Sequence, residues 1–152
     1  MIKSLYETHL EVSNLEKSIE FYEKLGIRLV NKIEERRVAF FFIGEQNQML
    51  GLWEKEKGKE VKTGHFAFGV TLEDLGKSID WLKERGIGPT ENFFGREPIE
   101  PIVHTWMPAA SVYFRDPDNN SLEFITLLDD EPVLTQDCPY LSEWNKMYSK
   151  SK

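Results

Sequence analysis

The hydrophobic and polar positions of this chain fall into two stretches with the same grammar. Residues 5–12, LYETHLEV, alternate loosely between apolar and polar side chains, as a half-buried strand does. Ser13-Asn14 ends that run and starts a helical one over 15–25. There Leu15, Ile19 and Tyr22 recur at i, i+4 and i+7, with Phe21 and Leu25 beside them. Lys17 stands where a capping box would place Glu, so the predicted cap is an ordinary one. Gly26 predicts the stop, as a glycine with a left-handed backbone does after a last helical turn. Three short strands are predicted next, over 28–33, 37–43 and 48–54. Gly44-Glu45-Gln46-Asn47 forms the hairpin turn between the last two.

The second stretch opens at His65 with a predicted strand over 65–70. A helix over 72–85 buries Leu75, Ile79 and Leu82, places Trp81 at its edge and stops at Gly86. Residues 87–110 contain Gly88, Pro89, Gly95, Pro98, Pro101 and Pro108. They predict an irregular strand near 90–94 and then a long loop of the kind that is usually functional or mobile. Strands over 111–115 and 122–127 close the stretch around Asp116-Pro117-Asp118-Asn119-Asn120, a strong turn signal. The organisation that follows is a first βαβββ module over 1–54, a charged linker over 55–63, a second module over 64–128 and a tail over 129–152. The tail carries a helix over 141–148 with Leu141, Trp144 and Tyr148 on one side.

The two stretches also match in detail. Lys17-Ser18-Ile19 repeats as Lys77-Ser78-Ile79, an offset of 60, and His9 repeats as His65, an offset of 56. One four-residue insertion between strand and helix reconciles the two offsets. A repeat that cannot bury its own sheet face should pair with its twin.

Composition narrows the function classes. The chain has 152 residues, 40% hydrophobic and 30% charged, enough for a normal core. Its net charge of -7, from 19 basic and 26 acidic residues, argues against nucleic acid or an anionic membrane as partner. The lone cysteine, Cys138, fits a reducing compartment and reads as an incidental thiol. No apolar run approaches the ~18 residues that span a bilayer, and no signal-peptide core is evident. A soluble, cytoplasmic protein is the expectation.

The candidate chemistry sits on the repeated strands. His9 and His65 occupy equivalent positions, and pseudo-two-fold symmetry would bring them together. Glu123 alternates with Leu122 and Phe124 on a half-buried strand, where a carboxylate needs a partner. Two imidazoles and a carboxylate make a three-ligand metal site with open positions. A strand histidine on its own is more often a hydrogen-bonded structural residue, and a strand glutamate more often exposed.

The span from about Leu5 to Leu127 resembles the vicinal oxygen chelate superfamily, which includes glyoxalase I, fosfomycin- and bleomycin-resistance proteins, methylmalonyl-CoA epimerase and extradiol dioxygenases. The motifs that carry the resemblance are HLEVSNLEKSIEFYEKLG with His9, GHFAFGV with His65, and Phe114-Arg115-Asp116-Pro117-Asp118-Asn119-Asn120-Ser121-Leu122-Glu123. The resemblance implies an α+β fold in which paired βαβββ modules form a curved, barrel-like mixed sheet with flanking helices. It implies a divalent metal (Zn, Ni, Mn, Fe or Co) held by His9, His65 and Glu123, and a homodimer. The modules would pair within one chain or by exchange between two.

Departures from the pattern weigh on the particular member. Gly51 stands where glyoxalase I carries a fourth ligand, and Glu54 is offset to the other face. Ala109-Ala110 precede Ser111-Val112-Tyr113-Phe114, where fosfomycin-resistance proteins usually place a basic residue. A general base is required, with Glu45 the first candidate and His104, on the long loop, the second. Trp106, Met107 and Tyr113 are candidate substrate contacts. The expected function is a metal-dependent glyoxalase-like enzyme of lyase, isomerase or hydrolase type, acting on a small oxygenated metabolite through a metal-stabilised oxyanion. A metal-free drug- or antibiotic-sequestering protein is the alternative, and an Fe(II) extradiol dioxygenase ranks third.

Overall fold

The two amphipathic helices set the frame. Helix α1 (Leu15–Lys24) buries Leu15, Ser18, Ile19 and Tyr22. Helix α2 (Leu72–Glu84) buries Leu75, Ser78, Ile79 and Leu82, the same four positions shifted by the repeat offset. Asn14 caps α1 by accepting from the Lys17 N–H, and Thr71 caps α2 by accepting from the Asp74 N–H. Both helices end the same way. The Ile27 N–H returns to the Tyr22 carbonyl at 3.2 Å and the Ile87 N–H to the Leu82 carbonyl at 2.9 Å. The glycines between, Gly26 (φ 77°) and Gly86 (φ 71°), supply the left-handed turn this closure needs.

The structure, a computed structural model, describes residues 1–90, 95–134 and 137–149, the side chains of residues 148 and 149 excepted. Residues 91–94 of the expected irregular strand, and the Tyr148 side chain, lie outside the described residues. The chain divides into two compact units, Met1–Gly64 with Asp116–Asn120, and His65–Arg115 with Ser121–Lys152. Among the described residues no helix is long and apolar enough to cross a membrane.

In the first unit, strands β1 (Glu7–Val12), β2 (Arg28–Ile33), β3 (Val38–Ile43) and β4 (Gln48–Glu54) form a mixed sheet in the order β1-β4-β3-β2. β1 runs parallel to β4, and the other pairs are antiparallel. Leu10, Val12, Phe41, Leu50 and Leu52 are buried, whereas His9 is exposed and Trp53 half-buried. Alternation along the strands therefore gives one core face and one open face. Tyr22 packs against Phe41 on the core face.

In the second unit, strands β5 (His65–Gly69), β6 (Pro89–Thr90), β7 (Ile102–His104), β8 (Ala109–Arg115) and β9 (Ser121–Leu127) form the order β5-β9-β8-β6, with β7 also paired to β8. Phe68, Phe114 and Trp81 of α2 gather around Phe124 on the helix side. Helix α3 (Leu141–Ser149) follows, with the Trp144 indole fully buried and donating to Asp130 at 2.7 Å.

The expected barrel-like closure is overturned. Both sheets are open paths, the first ending on β1 and β2, the second on β5 at one side and β6 and β7 at the other. The cause is the order of assembly within a module. The last strand inserts between the first and the third, which leaves the first and second strands as edges with no mutual hydrogen bonds. The fold is α+β, built from βαβββ-like modules with open mixed sheets.

The segment expected as a long loop also differs. It contains β7, whose Ile102, Val103 and His104 pair with Ser111, Ala110 and Ala109. Its far edge is taken by the tail. The Val103 N–H donates to the Pro139 carbonyl, and the Leu141 N–H to the Pro101 carbonyl, both at 2.8 Å.

Candidate functional site

Parity along β5, β8 and β9 gathers the chemistry of the second unit on one face. Tyr113 lies directly opposite Glu123, and Ala67 opposite Glu123 on the other side. Small side chains at Ala67 and Gly69 leave the space in front of this row open, while Phe66 and Phe68 pack together through an edge-on contact.

Glu123 is buried, with 4% of its surface exposed. Its Oε2 lies 3.3 Å from His65 Nε2 and its Oε1 3.9 Å from His104 Nε2. Oε1 is buried without a hydrogen-bond partner. The His65 tautomer follows from its other nitrogen. Nδ1 lies 3.0 Å from the Ser121 carbonyl oxygen, which can only accept, so Nδ1 carries the proton. A second proton on Nε2 would make the contact an ion pair, whereas the neutral ring presents a lone pair to a carboxylate oxygen that also presents lone pairs. In the neutral form the two acceptors are satisfied by a cation between or in front of them. A separation of about 3.0–3.4 Å is what two neighbouring ligands on one divalent ion with bonds near ~2.1 Å would show.

Tyr113 stands between the two imidazoles. Its ring stacks on His65 with centroids 6.3 Å apart and meets His104 edge-on at the same spacing. Its hydroxyl lies 2.8 Å from His104 Nε2. Burial first, and then the neighbouring Glu123 carboxylate, push the phenol well above its ordinary range. Burial also pushes the His104 imidazole below its usual value, against the opposing pull of Glu123. His104 is thus neutral near pH 7 and able to accept a proton. It was expected on a loop and instead closes the short strand β7.

His9 lies in the first unit, on the open face of β1, directly opposite Gly51 of β4. Its Nδ1 accepts from the Trp53 indole N–H, and its Nε2 lies 3.1 Å from Glu7 Oε1. A Cβ at Gly51 would come within 2.9 Å of His9 Nδ1 and 3.3 Å of the Phe40 ring. The absence of a side chain at Gly51 is therefore what leaves room for this imidazole. Glu7 and Ser121 are the site neighbours the sequence reading missed. Trp53 was legible among the strand aromatics, being two residues from Gly51 and hence on the same face.

Among the described residues, no group of three His, Cys, Asp or Glu side chains that could hold a metal is assembled. The second unit brings together His65, His104, Tyr113 and Glu123. Glu45 sits on the exposed turn between β3 and β4, Trp106 is 61% exposed after β7, and Met107 is half-buried. Cys138 is buried beside Ile102 and Tyr113, and its thiol donates to the Val103 carbonyl.

Two βαβββ-like modules with an imidazole–carboxylate pair on an open sheet face define a class of proteins that act on or bind small molecules. The chain belongs to the Glyoxalase/Bleomycin resistance protein/Dioxygenase superfamily, whose family model matches residues 6–124. It is similar to the metallothiol transferase FosB of Staphylococcus haemolyticus, 32% identical over 135 residues, covering 83% of this chain and 85% of that protein. It is also similar to a probable trivalent organoarsenical cleaving enzyme of Bacillus subtilis, 30% identical over 130 residues, with 84% and 83% covered. Among solved structures, an integron cassette protein from the mobile metagenome of the Halifax Harbour sewage outfall matches with a TM-score of 0.71. That match has 31% identity and covers 83% of this chain and all of that one.

Proposed function

We propose that this protein is a metal-dependent enzyme of the lyase, isomerase or hydrolase type, acting on a small oxygenated molecule. The observation that carries the reading is the His65–Glu123 pair, an imidazole nitrogen and a carboxylate oxygen 3.3 Å apart, with the second carboxylate oxygen buried and without a hydrogen-bond partner. A nitrogen and a carboxylate oxygen suit a borderline divalent ion such as Zn, Ni, Mn, Fe or Co. His9 is the proposed third ligand, supplied by the same chain or by a second copy in a homodimer. The name of the Staphylococcus relative, a metallothiol transferase, supports a metal in this family setting.

When bound, such an ion supplies Lewis-acid stabilisation of negative charge developing on a substrate oxygen, worth on the order of ~3 kcal/mol. The protein's own groups do the rest. Ser121 fixes the orientation of His65 through its carbonyl. His104, neutral and partly screened from water, takes up a proton. Its hydrogen bond to the Tyr113 hydroxyl fixes the phenol, which faces the row of Glu123 and binds a substrate oxygen. Glu45, the first candidate base from the sequence, lies on an exposed turn and is the alternative to His104, and Trp106 and Met107 are the candidate apolar contacts.

The test is the divalent metal content of tag-free protein beside the variants His9→Ala and Glu123→Ala. About one metal per chain, lost in both variants, supports the trio. Metal-free protein whose thermal stability is unchanged by added Ni, Zn, Mn or Fe(II) would overturn the reading. The same fold would then be read as a metal-free ligand-sequestering protein.

A further inference from the structure

The two repeat-equivalent histidines are not chemically equivalent. His65 carries its ring proton on Nδ1, because that nitrogen faces the Ser121 carbonyl oxygen at 3.0 Å. His9 shows the reverse. An indole N–H is a donor only, so a ring nitrogen that accepts from Trp53 carries no proton. The His9 proton is then on Nε2, where Glu7 Oε1 accepts it at 3.1 Å.

The seat around His9 is built for this arrangement. Gly51 leaves the floor free, since a Cβ there would approach Nδ1 to 2.9 Å. Phe40 meets the imidazole edge-on, and the Trp53 ring stacks on it at 28° with centroids 5.8 Å apart. The Arg36 guanidinium lies over the Trp53 ring, 5.1 Å from its centre.

We infer that Trp53 is the positioning residue of His9. It holds the ring in the Nε2–H tautomer, opposite to that of His65, and must release the ring before Nε2 can bind anything. The consequence for a metal rests on the reading proposed above. His65 and Glu123 form the preset half of the site, and His9 is a withheld ligand. For Nε2 to ligate, the His9 proton must move to Nδ1, where the Trp53 N–H already points.

The experiment has a metal-free and a metal-loaded arm, both on the full chain. Long-range proton–nitrogen correlation spectra at pH 8, with the histidines assigned through His9→Ala and His65→Ala, report each tautomer. The expected result is Nε2–H for His9, Nδ1–H for His65, and a mixed tautomer at His9 in Trp53→Phe. In the second arm Ni(II) is titrated into the wild type and Trp53→Phe. The variant should bind about three- to tenfold tighter, because one hydrogen bond no longer competes. The Trp53 indole N–H signal of the wild type should move as the metal binds.

An Nδ1–H His9 in the metal-free wild type overturns the inference without any variant, so a poorly folding Trp53→Phe does not shield it. So does Ni(II) affinity unchanged or weakened in the variant. If neither protein binds Ni(II) while His9 still shows the Trp53-dependent Nε2–H tautomer, the metal reading falls and the positioning role of Trp53 stands.

Discussion

Asp116 accepts from the Tyr22 hydroxyl at 3.0 Å, from the Asn120 side chain, and from the backbone N–H groups of Asp118 and Asn120. Asn120, fully buried, accepts in turn from the Gly64 N–H at 2.7 Å. The Asp-Pro-Asp-Asn-Asn run thus has a structural job as well as a diagnostic one. It locks its own turn, with Asn119 in the left-handed region at φ 69°, and pins the turn to α1. Tyr22→Phe should lower stability to urea by about 1–2 kcal/mol, because it takes one donor from a buried carboxylate. The turn itself was legible from Asp, Pro and Asn alone. The Tyr22 contact was not, because 94 residues separate the partners and no local pattern encodes it. Cys138 follows the same lesson in reverse. Burial pushes its thiol up to about 11, so native protein should resist a thiol reagent at pH 8 and react fully once unfolded.

At the scale of elements, Glu54 joins three pieces of the first unit. Its carboxylate accepts from the Leu15 N–H at the start of α1 at 2.6 Å, and from Arg37 through both Nε and Nη2. Arg37 is itself in the left-handed region, φ 49°, closing the short turn between β2 and β3. The Arg37 guanidinium, opposed by burial and helped by the Leu15 N–H, holds the Glu54 carboxyl below its ordinary range. A carboxyl with a depressed folded value stabilises the protein above the unfolded value near 4.5, and the contribution is lost as pH falls through the folded value. Glu54→Gln should therefore flatten the acid limb of a stability-versus-pH curve below about pH 5 and leave its alkaline side in place. The sequence showed that Glu54 leaves the face of a glyoxalase ligand, since strand parity alone decides that. It did not show the destination, which depends on where α1 begins. Strand β7 was missed for a related reason. Its three residues follow Pro101, and hydrogen bonds from residues 139 and 141 complete its edge. A strand so short has no period to read.

At the scale of the whole molecule, the modular fold was legible because the same helix face is written twice, at Leu15, Ile19 and Tyr22 and again at Leu75, Ile79 and Leu82. Closure was not legible, since it depends on which edges find a partner rather than on any strand's own pattern. The contact between His65 and Glu123 follows the resemblance that named both, and strand pairing shows how they meet, Ala67 lying opposite Glu123 two residues from His65. Its neighbours His104 and Tyr113 were named separately, and only the β7–β8 pairing shows them to be in contact. The tail docks on the second unit along the edge of β7 and carries one large buried side chain, Trp144, whose indole bonds Asp130 within the tail. Trp144→Ala should cost about 3–5 kcal/mol, seen as an early loss of structure in thermal unfolding.

The extra residues between strand and helix in the second module have a consequence for how such chains diverge. From His9 to Leu15 is six residues and from His65 to Leu75 is ten. Three of the four extra residues lengthen α2, which has 13 residues against 10 in α1, and the fourth lies in the strand. Three residues advance a helix by about 300°, most of one revolution, so the chain enters the longer helix near the same side and the buried side chains keep their bearing. Two residues would swing the apolar stripe to the solvent side. Length change at this junction is therefore quantised. Deleting residues 71–74 and recapping with Asn at position 70 should leave the rest of α2 in phase, whereas deleting two should unfold the module. A repeated module keeps its apolar stripe inward only when its length here changes by close to a turn of the helix.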